Sequence, residues 1–151
     1  MAIVPKRQAL TGALIYRKVL DFFEKKMRTP RINPSWMQVI AIFLSVYYLF
    51  LSSDVVKIFF IIIVLITDWL DGAIARQQKK ASFKGWMIDV LVDRLSEGFI
   101  FWAEISTSFG FIFFLLWILN IILSIYSVKT KKHILLALRF LFIFVLIFRL
   151  L

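Results

Sequence analysis

The sequence predicts an all-α integral membrane protein, a bundle of about five transmembrane helices with an N-terminal amphipathic helix lying in the membrane interface. Hydrophobic residues make up 62% of the 151 and the mean hydropathy is +0.89, against the roughly 45–50% apolar usage of soluble domains. The apolar residues fall in runs long enough to cross about 30 Å of hydrocarbon. The basic residues gather between alternate runs, as the loops of a multi-pass membrane protein do. The length suits one domain.

Residues 1–33 read as a basic juxtamembrane segment and 34–151 as the transmembrane domain. Within 10–27, Leu10, Ala13, Leu14, Leu20, Phe23 and Met27 alternate with Arg17, Lys18, Lys25 and Lys26, the pattern of a helix lying on an anionic surface. No apolar stretch with a small-residue cleavage site follows the basic start, which argues against a cleaved signal peptide. The expected spans are 36–51, 55–75, 85–105, 109–128 and 134–151. The first extends upstream through Asn33 and Pro34, because proline is tolerated in a helix's first turn. The third carries Asp89, Asp93, Arg94, Glu97 and Glu104, so it spans only if that stripe faces inward. Gly110 marks little more than the start of the fourth, and Asp54 reads as solvated surface together with Asp21 and Glu24.

Charge sets the orientation. Eight Lys and Arg precede Trp36, four lie from Arg76 to Lys84, and three (Lys129, Lys131, Lys132) separate the last two spans, fifteen of the 19 in all. With the N-terminus cytoplasmic all fifteen lie inside, and the outer edges hold only Lys57 and Arg149, so the positive-inside rule gives N-in, C-out. The net charge of +10 is thereby a topology signal rather than the footprint of a nucleic-acid module, and no nucleic-acid partner is expected. The absence of cysteine is consistent with a reducing compartment. The aromatic load fits lipid-facing and interfacial surface. No internal repeat or low-complexity tract is present.

The chemistry concentrates in 68–93, DWLDGAIARQQKKASFKGWMIDVLVD. Asp68 and Asp71 stand at i and i+3 and Asp89 and Asp93 at i and i+4, so on helices each pair shares a face. Carboxylates are costly at membrane depth and mark a binding site or a wet cavity. Two such faces meeting would form an all-oxygen pocket, which suits Mg²⁺ or Mn²⁺ bound against phosphates. With no cysteine and His133 alone, a soft-metal site is not expected. Gly72, Ala75 and Gly85 let a base or a pyrophosphate approach the backbone, although small residues also serve close helix packing.

The segment fits D-x2-D-G-x2-A-R-x8-G-x3-D-x3-D at all eight fixed positions, Asp68, Asp71, Gly72, Ala75, Arg76, Gly85, Asp89 and Asp93. It thereby resembles the signature of the CDP-alcohol phosphotransferases, integral membrane enzymes of phospholipid head-group synthesis. The resemblance implies a nucleotide site of Asp68, Asp71, Gly72, Ala75, Arg76 and Gly85, and one or two divalent ions held by Asp68, Asp71, Asp89 and Asp93. Asp89 and Asp93 would be catalytic, Asp93 as a shared ligand or as the base. The implied partners are a CDP-linked lipid or alcohol donor, a small polar alcohol acceptor, membrane lipids and a second copy of the chain. Tyr126 to Lys132 is similar to the S-Y-V-R-A-R segment of members that use inositol phosphate, and Asp93 to Glu97 to their D-R-x-S-D/E run, so Lys129 and Lys131 are candidate acceptor-binding residues; lysines at a cytoplasmic span end are also expected from topology alone.

Two features depart from the family. Of its P-N-x-x-T opening only Pro34 is kept, in Pro34, Ser35, Trp36, Met37 and Gln38, and the family commonly has six spans where this chain offers five. Two other readings remain open at this level: a UbiA-like prenyltransferase, which also uses Asp-rich helices around Mg-diphosphate but with motifs much farther apart, and a non-catalytic cation-binding or scaffold protein.

Overall fold

A computed structural model describes residues 33–78, 82–130 and 136–151. The expected interfacial helix at 10–27, Lys131 and His133 lie outside them. Among the described residues all regular structure is helical. Helix α1 (Pro34–Tyr47) runs into a short 3₁₀ turn (Tyr48–Phe50), and α2 (Asp54–Gln77), α3 (Phe83–Ala103), α4 (Ser108–Thr130) and α5 (Leu138–Leu150) follow. These ranges match the five apolar runs.

Local signals set the helix ends. Asn33 caps α1, its side chain accepting from the Ser35 N–H, with Pro34 in the first turn. Ser82 caps α3 by accepting from the Gly85 N–H, which satisfies one of the orphan donors of a helix start. Helix α2, at 24 residues, and α4, at 23, are long and apolar enough to cross a membrane. The 13 residues of α5 extend only about 20 Å at 1.5 Å per residue.

Helix α1 packs against both α2 and α3, α4 lies on α3, and α5 docks on α2 and more lightly on α4. The core is built from Tyr48, Ile61, Ile100, Phe101, Phe113, Leu138, Phe142 and Leu146. Its centre is an aromatic cluster in which Phe142 of α5 meets Phe101 edge-on at 5.3 Å and Phe113 at 4.9 Å, an arrangement aromatic rings prefer. The outside is as greasy as the inside, with Phe43, Phe50, Phe144 and Phe148 each about 70% exposed or more. Water penalises such a surface and hydrocarbon does not.

Polar side chains tie the helices together. Ser45 of α1 and Ser96 of α3, both fully buried, share a hydrogen bond of 2.5 Å. Trp117 of α4 lies so close to Gly98 of α3 that a β-carbon there would fall 2.7 Å from its ring, and its indole N–H donates to the Arg94 carbonyl at 2.7 Å.

Two sequence expectations need correcting at the end of the bundle away from the motif. Asp54 is not solvated: its side chain is 16% exposed and lies 3.3 Å from Arg149 Nε, inside a cluster where the buried Glu104 takes Lys57 on one oxygen and Arg149 Nη1 on the other at 2.9 Å. Lys57 and Arg149 are thus ion-paired rather than free loop charges. The buried Lys57 and Glu104 could not stay buried unpaired, and Asp54 and Arg149 complete the cluster at its edge. Gly110 does more than begin α4. A β-carbon on it would lie 1.8 Å from the Glu104 carbonyl oxygen, so only glycine allows the turn from α3 into α4 to close, while Thr107 accepts the Gly110 N–H at 3.0 Å.

Candidate functional site

The other end of the bundle holds the motif. Asp68, Asp71, Gly72, Ala75 and Arg76 occupy the last turns of α2, and Gly85, Asp89 and Asp93 the first turns of α3. The i, i+3 and i, i+4 spacings turn the acids of each helix toward the other. Asp68 feels the charges of Asp93 and Asp89, and Asp71 those of Asp68 and Asp93. Asp71 is buried, Asp68 and Asp89 are half-buried, and the Asp93 side chain is 22% exposed. The stripe on α3 faces inward as membrane placement requires, for Arg94, Glu97 and Glu104 are also buried.

The small residues divide in two. Gly72 lies beneath the Arg76 side chain, whose Nη1 would be 3.1 Å from a β-carbon there, so Gly72 gives that guanidinium room beside the acids. Gly85 is exposed at the start of α3, one turn before Asp89, and a β-carbon on it would meet only the Ser82 hydroxyl, at 3.2 Å. Ala75 is half-buried on the same end of α2.

The residue that organises the site was absent from the sequence reading. Arg139, in the first turn of α5, is 5% exposed. One terminal nitrogen, Nη1, donates to Asp68 and the other, Nη2, to Asp93 at 2.6 Å, so one guanidinium bridges the first and last acids of the motif. Its Nε lies 3.7 Å from Glu97, which is itself paired with Arg94 at 2.7 Å. The planar fork of arginine permits this two-handed grip, and lysine could not reproduce it. A signal did exist: an arginine inside an apolar run is rare enough to suggest an acidic partner, but no spacing rule says which acid.

Asn120 of α4 braces this arrangement. Fully buried, it exchanges two hydrogen bonds with the Leu136 backbone, three residues before Arg139, and its amide nitrogen lies 3.4 Å from Glu97. The Gln38 side chain of α1 stands beside Asp71. The site is therefore assembled from all five helices.

Among the described residues no three His, Cys, Asp or Glu side chains converge as a ready metal-ligand set. The donor chemistry nonetheless fits a hard divalent cation. Every candidate ligand is a carboxylate, and Asp68 and Asp93 already close on a cation, the Arg139 guanidinium.

The family model for CDP-alcohol phosphatidyltransferases matches residues 31–150. The chain belongs to that family. The match takes in α1 to α5 and every acid of the motif, and it places the protein among phosphotransferases rather than prenyltransferases. Searches of curated proteins and of solved structures returned no match.

Within this CDP-alcohol phosphatidyltransferase, the departure at the start of α1 gains a physical meaning. Gln38 stands where the family's P-N-x-x-T run has threonine, and its side-chain amide stands beside Asp71. Lys129 is exposed in the last turn of α4, at the motif end of the bundle and apart from the buried acids. Lys131 lies outside the described residues.

Proposed function

We propose that this CDP-alcohol phosphatidyltransferase transfers a substituted, phosphatidyl-type phosphate from a CDP-linked lipid to a hydroxyl of a small polar alcohol, releasing CMP, at the cytoplasmic face of a membrane that it crosses several times. The observation that carries the reading is that Asp68 of α2 and Asp93 of α3, from two halves of one signature, close on a single cation from two helices. The exposed apolar flanks of the bundle and the basic residues at the motif end support the membrane setting and the orientation.

Asp68, Asp71 and Asp89 would hold Mg²⁺ or Mn²⁺, with Asp93 as a further ligand or as the base. A divalent ion so held supplies neutralisation of the diphosphate, which makes CMP a better leaving group. The residues of the chain do the rest. Ala75 keeps the end of α2 slim beside the nucleotide, and Gly72 makes room for Arg76 to meet phosphate charge. The Gln38 amide stands beside the Asp71 carboxylate. Asp93, the most exposed acid of the bridged pair, is placed to accept the acceptor's hydroxyl proton as its oxygen bonds to the lipid-side phosphorus. The bond from that phosphorus to the CMP oxygen breaks, and CMP departs. Lys129 offers a point charge for an anionic acceptor such as inositol phosphate or glycerol phosphate.

The reverse reaction tests this directly. Protein in detergent, given CMP and a phosphatidyl-alcohol product, should form CDP-lipid with Mg²⁺ and not with chelator. Lipid turnover independent of CMP would refute the assignment. A panel of alcohols added to protein and CDP-lipid then identifies the acceptor.

A further inference from the structure

We propose that Arg139 is an exchangeable internal cation, occupying the divalent-ion position between Asp68 and Asp93 in the metal-free protein and swinging away when the ion binds. The inference rests on the reading of the motif acids as metal ligands and extends it to a residue outside the motif.

Carboxylates from two helices cannot remain close together in a bundle of low dielectric without a counter-charge. Arg139 supplies one. Its two terminal nitrogens divide between Asp68 and Asp93, making from one guanidinium the helix-to-helix bridge that a divalent ion would make. Both cannot occupy the gap together. A second partner for the arginine already exists, since Glu97 lies 3.7 Å from its Nε, one turn along α3 from Asp93. The backbone leading into the helix is anchored, because Asn120 holds both polar atoms of Leu136. The exchange is accordingly a side-chain rotation toward Glu97 with α5 in place. The acids stay neutralised before and after it, so the empty site neither collapses through mutual repulsion nor floods with water.

The test uses the full chain in detergent with Mn²⁺ as the probe, bound ion being read from the loss of the free Mn²⁺ electron-spin signal. Arg139→Gln removes the competitor and should bind Mn²⁺ at least about tenfold more tightly than wild type. Arg139→Lys keeps the charge but cannot bridge two carboxylates, and should also bind more tightly than wild type, though less so than Arg139→Gln. Equal Mn²⁺ affinity in wild type and Arg139→Gln overturns the exchange while leaving the metal site standing. Wild-type affinity in Arg139→Lys reduces the effect to charge and overturns it too. No Mn²⁺ binding by wild type or either variant removes the metal site and the exchange together.

A measurement on the wild-type protein covers the case in which the variants do not fold. In a nitrogen-15 arginine spectrum, one buried side-chain Nε–H signal should shift as Mg²⁺ saturates the site and stay fixed with Na⁺ at matched ionic strength. A spectrum unchanged by Mg²⁺ overturns the proposal.

Discussion

Asn120 holds Leu136 by both atoms of its side-chain amide, Oδ1 accepting the Leu136 N–H at 3.0 Å and Nδ2 donating to its carbonyl at 3.1 Å. No side chain caps the start of α5, so this pairing from α4 takes the place of a cap and fixes where Arg139 begins. Asn120→Leu conserves bulk and removes both bonds. It should remove two part-buried hydrogen bonds worth about 0.5–1.5 kcal/mol each, lowering the melting temperature by several degrees. Thermal unfolding in detergent checks this, and an unchanged midpoint would show that the pairing carries no weight.

Two glycines should behave oppositely. Gly110→Ala places a methyl group against the Glu104 carbonyl, and the α3–α4 turn must open, at an overpacking cost of about 1–3 kcal/mol or more. Gly85→Ala meets only a hydroxyl at 3.2 Å and should leave stability nearly unaltered while reducing transfer. Stability and turnover measured on both variants separate a glycine kept for packing from one kept for the nucleotide.

Glu104 is the hinge of the outer ion cluster. Glu104→Gln removes the carboxylate that Lys57 and Arg149 share and leaves them Asp54, so with Arg149 a third exposed the loss should fall toward the low end of the about 3–5 kcal/mol typical of breaking a buried pair from one side. The variant should unfold at markedly lower temperature. It lies at the opposite end of the bundle from the motif, so the fraction that folds should keep its donor affinity; loss of donor binding by folded protein contradicts that separation.

Asp93 should divide chemistry from binding. Replacing Asp68, Asp71 or Asp89 by Asn should abolish transfer and weaken metal-dependent donor binding. Asp93→Asn should lose transfer by about 10²–10⁴-fold, the usual worth of general-base assistance, and keep more of its donor affinity than the other three. Binding and turnover on one sample decide it. Equal collapse of both makes Asp93 a metal ligand only, and unchanged turnover removes it from the reaction.

Orientation is open to labelling because the chain has no cysteine of its own. Single cysteines replacing Lys80 and Lys131 should react only when reagent reaches the cytoplasmic side, and one replacing Ser53 should react from outside. The reverse pattern would put the acids on the face away from soluble CDP-linked metabolism.

The helices and the motif could be read from the sequence because both are local. A hydrophobic run, a cap such as Ser82 or Asn33, and acids at i, i+3 or i, i+4 depend on residues close along the chain, and helical periodicity converts their spacing into a face. The eight positions from Asp68 to Asp93 were legible for that reason, as was the need for the α3 stripe to turn inward. What lay beyond reach depends on residues far apart in sequence. Arg139 joins Asp68 across 71 positions and Asp93 across 46; Lys57 and Arg149 meet on Glu104 from 47 and 45 positions away. The distance from Gly110 to a carbonyl exists only once α4 has folded back on α3. An isolated charge in an apolar run announces that it needs a partner. Which partner it finds is settled by how the helices pack, because burial penalises an unpaired charge whatever its place in the sequence, and only the folded bundle brings the opposite charges within reach.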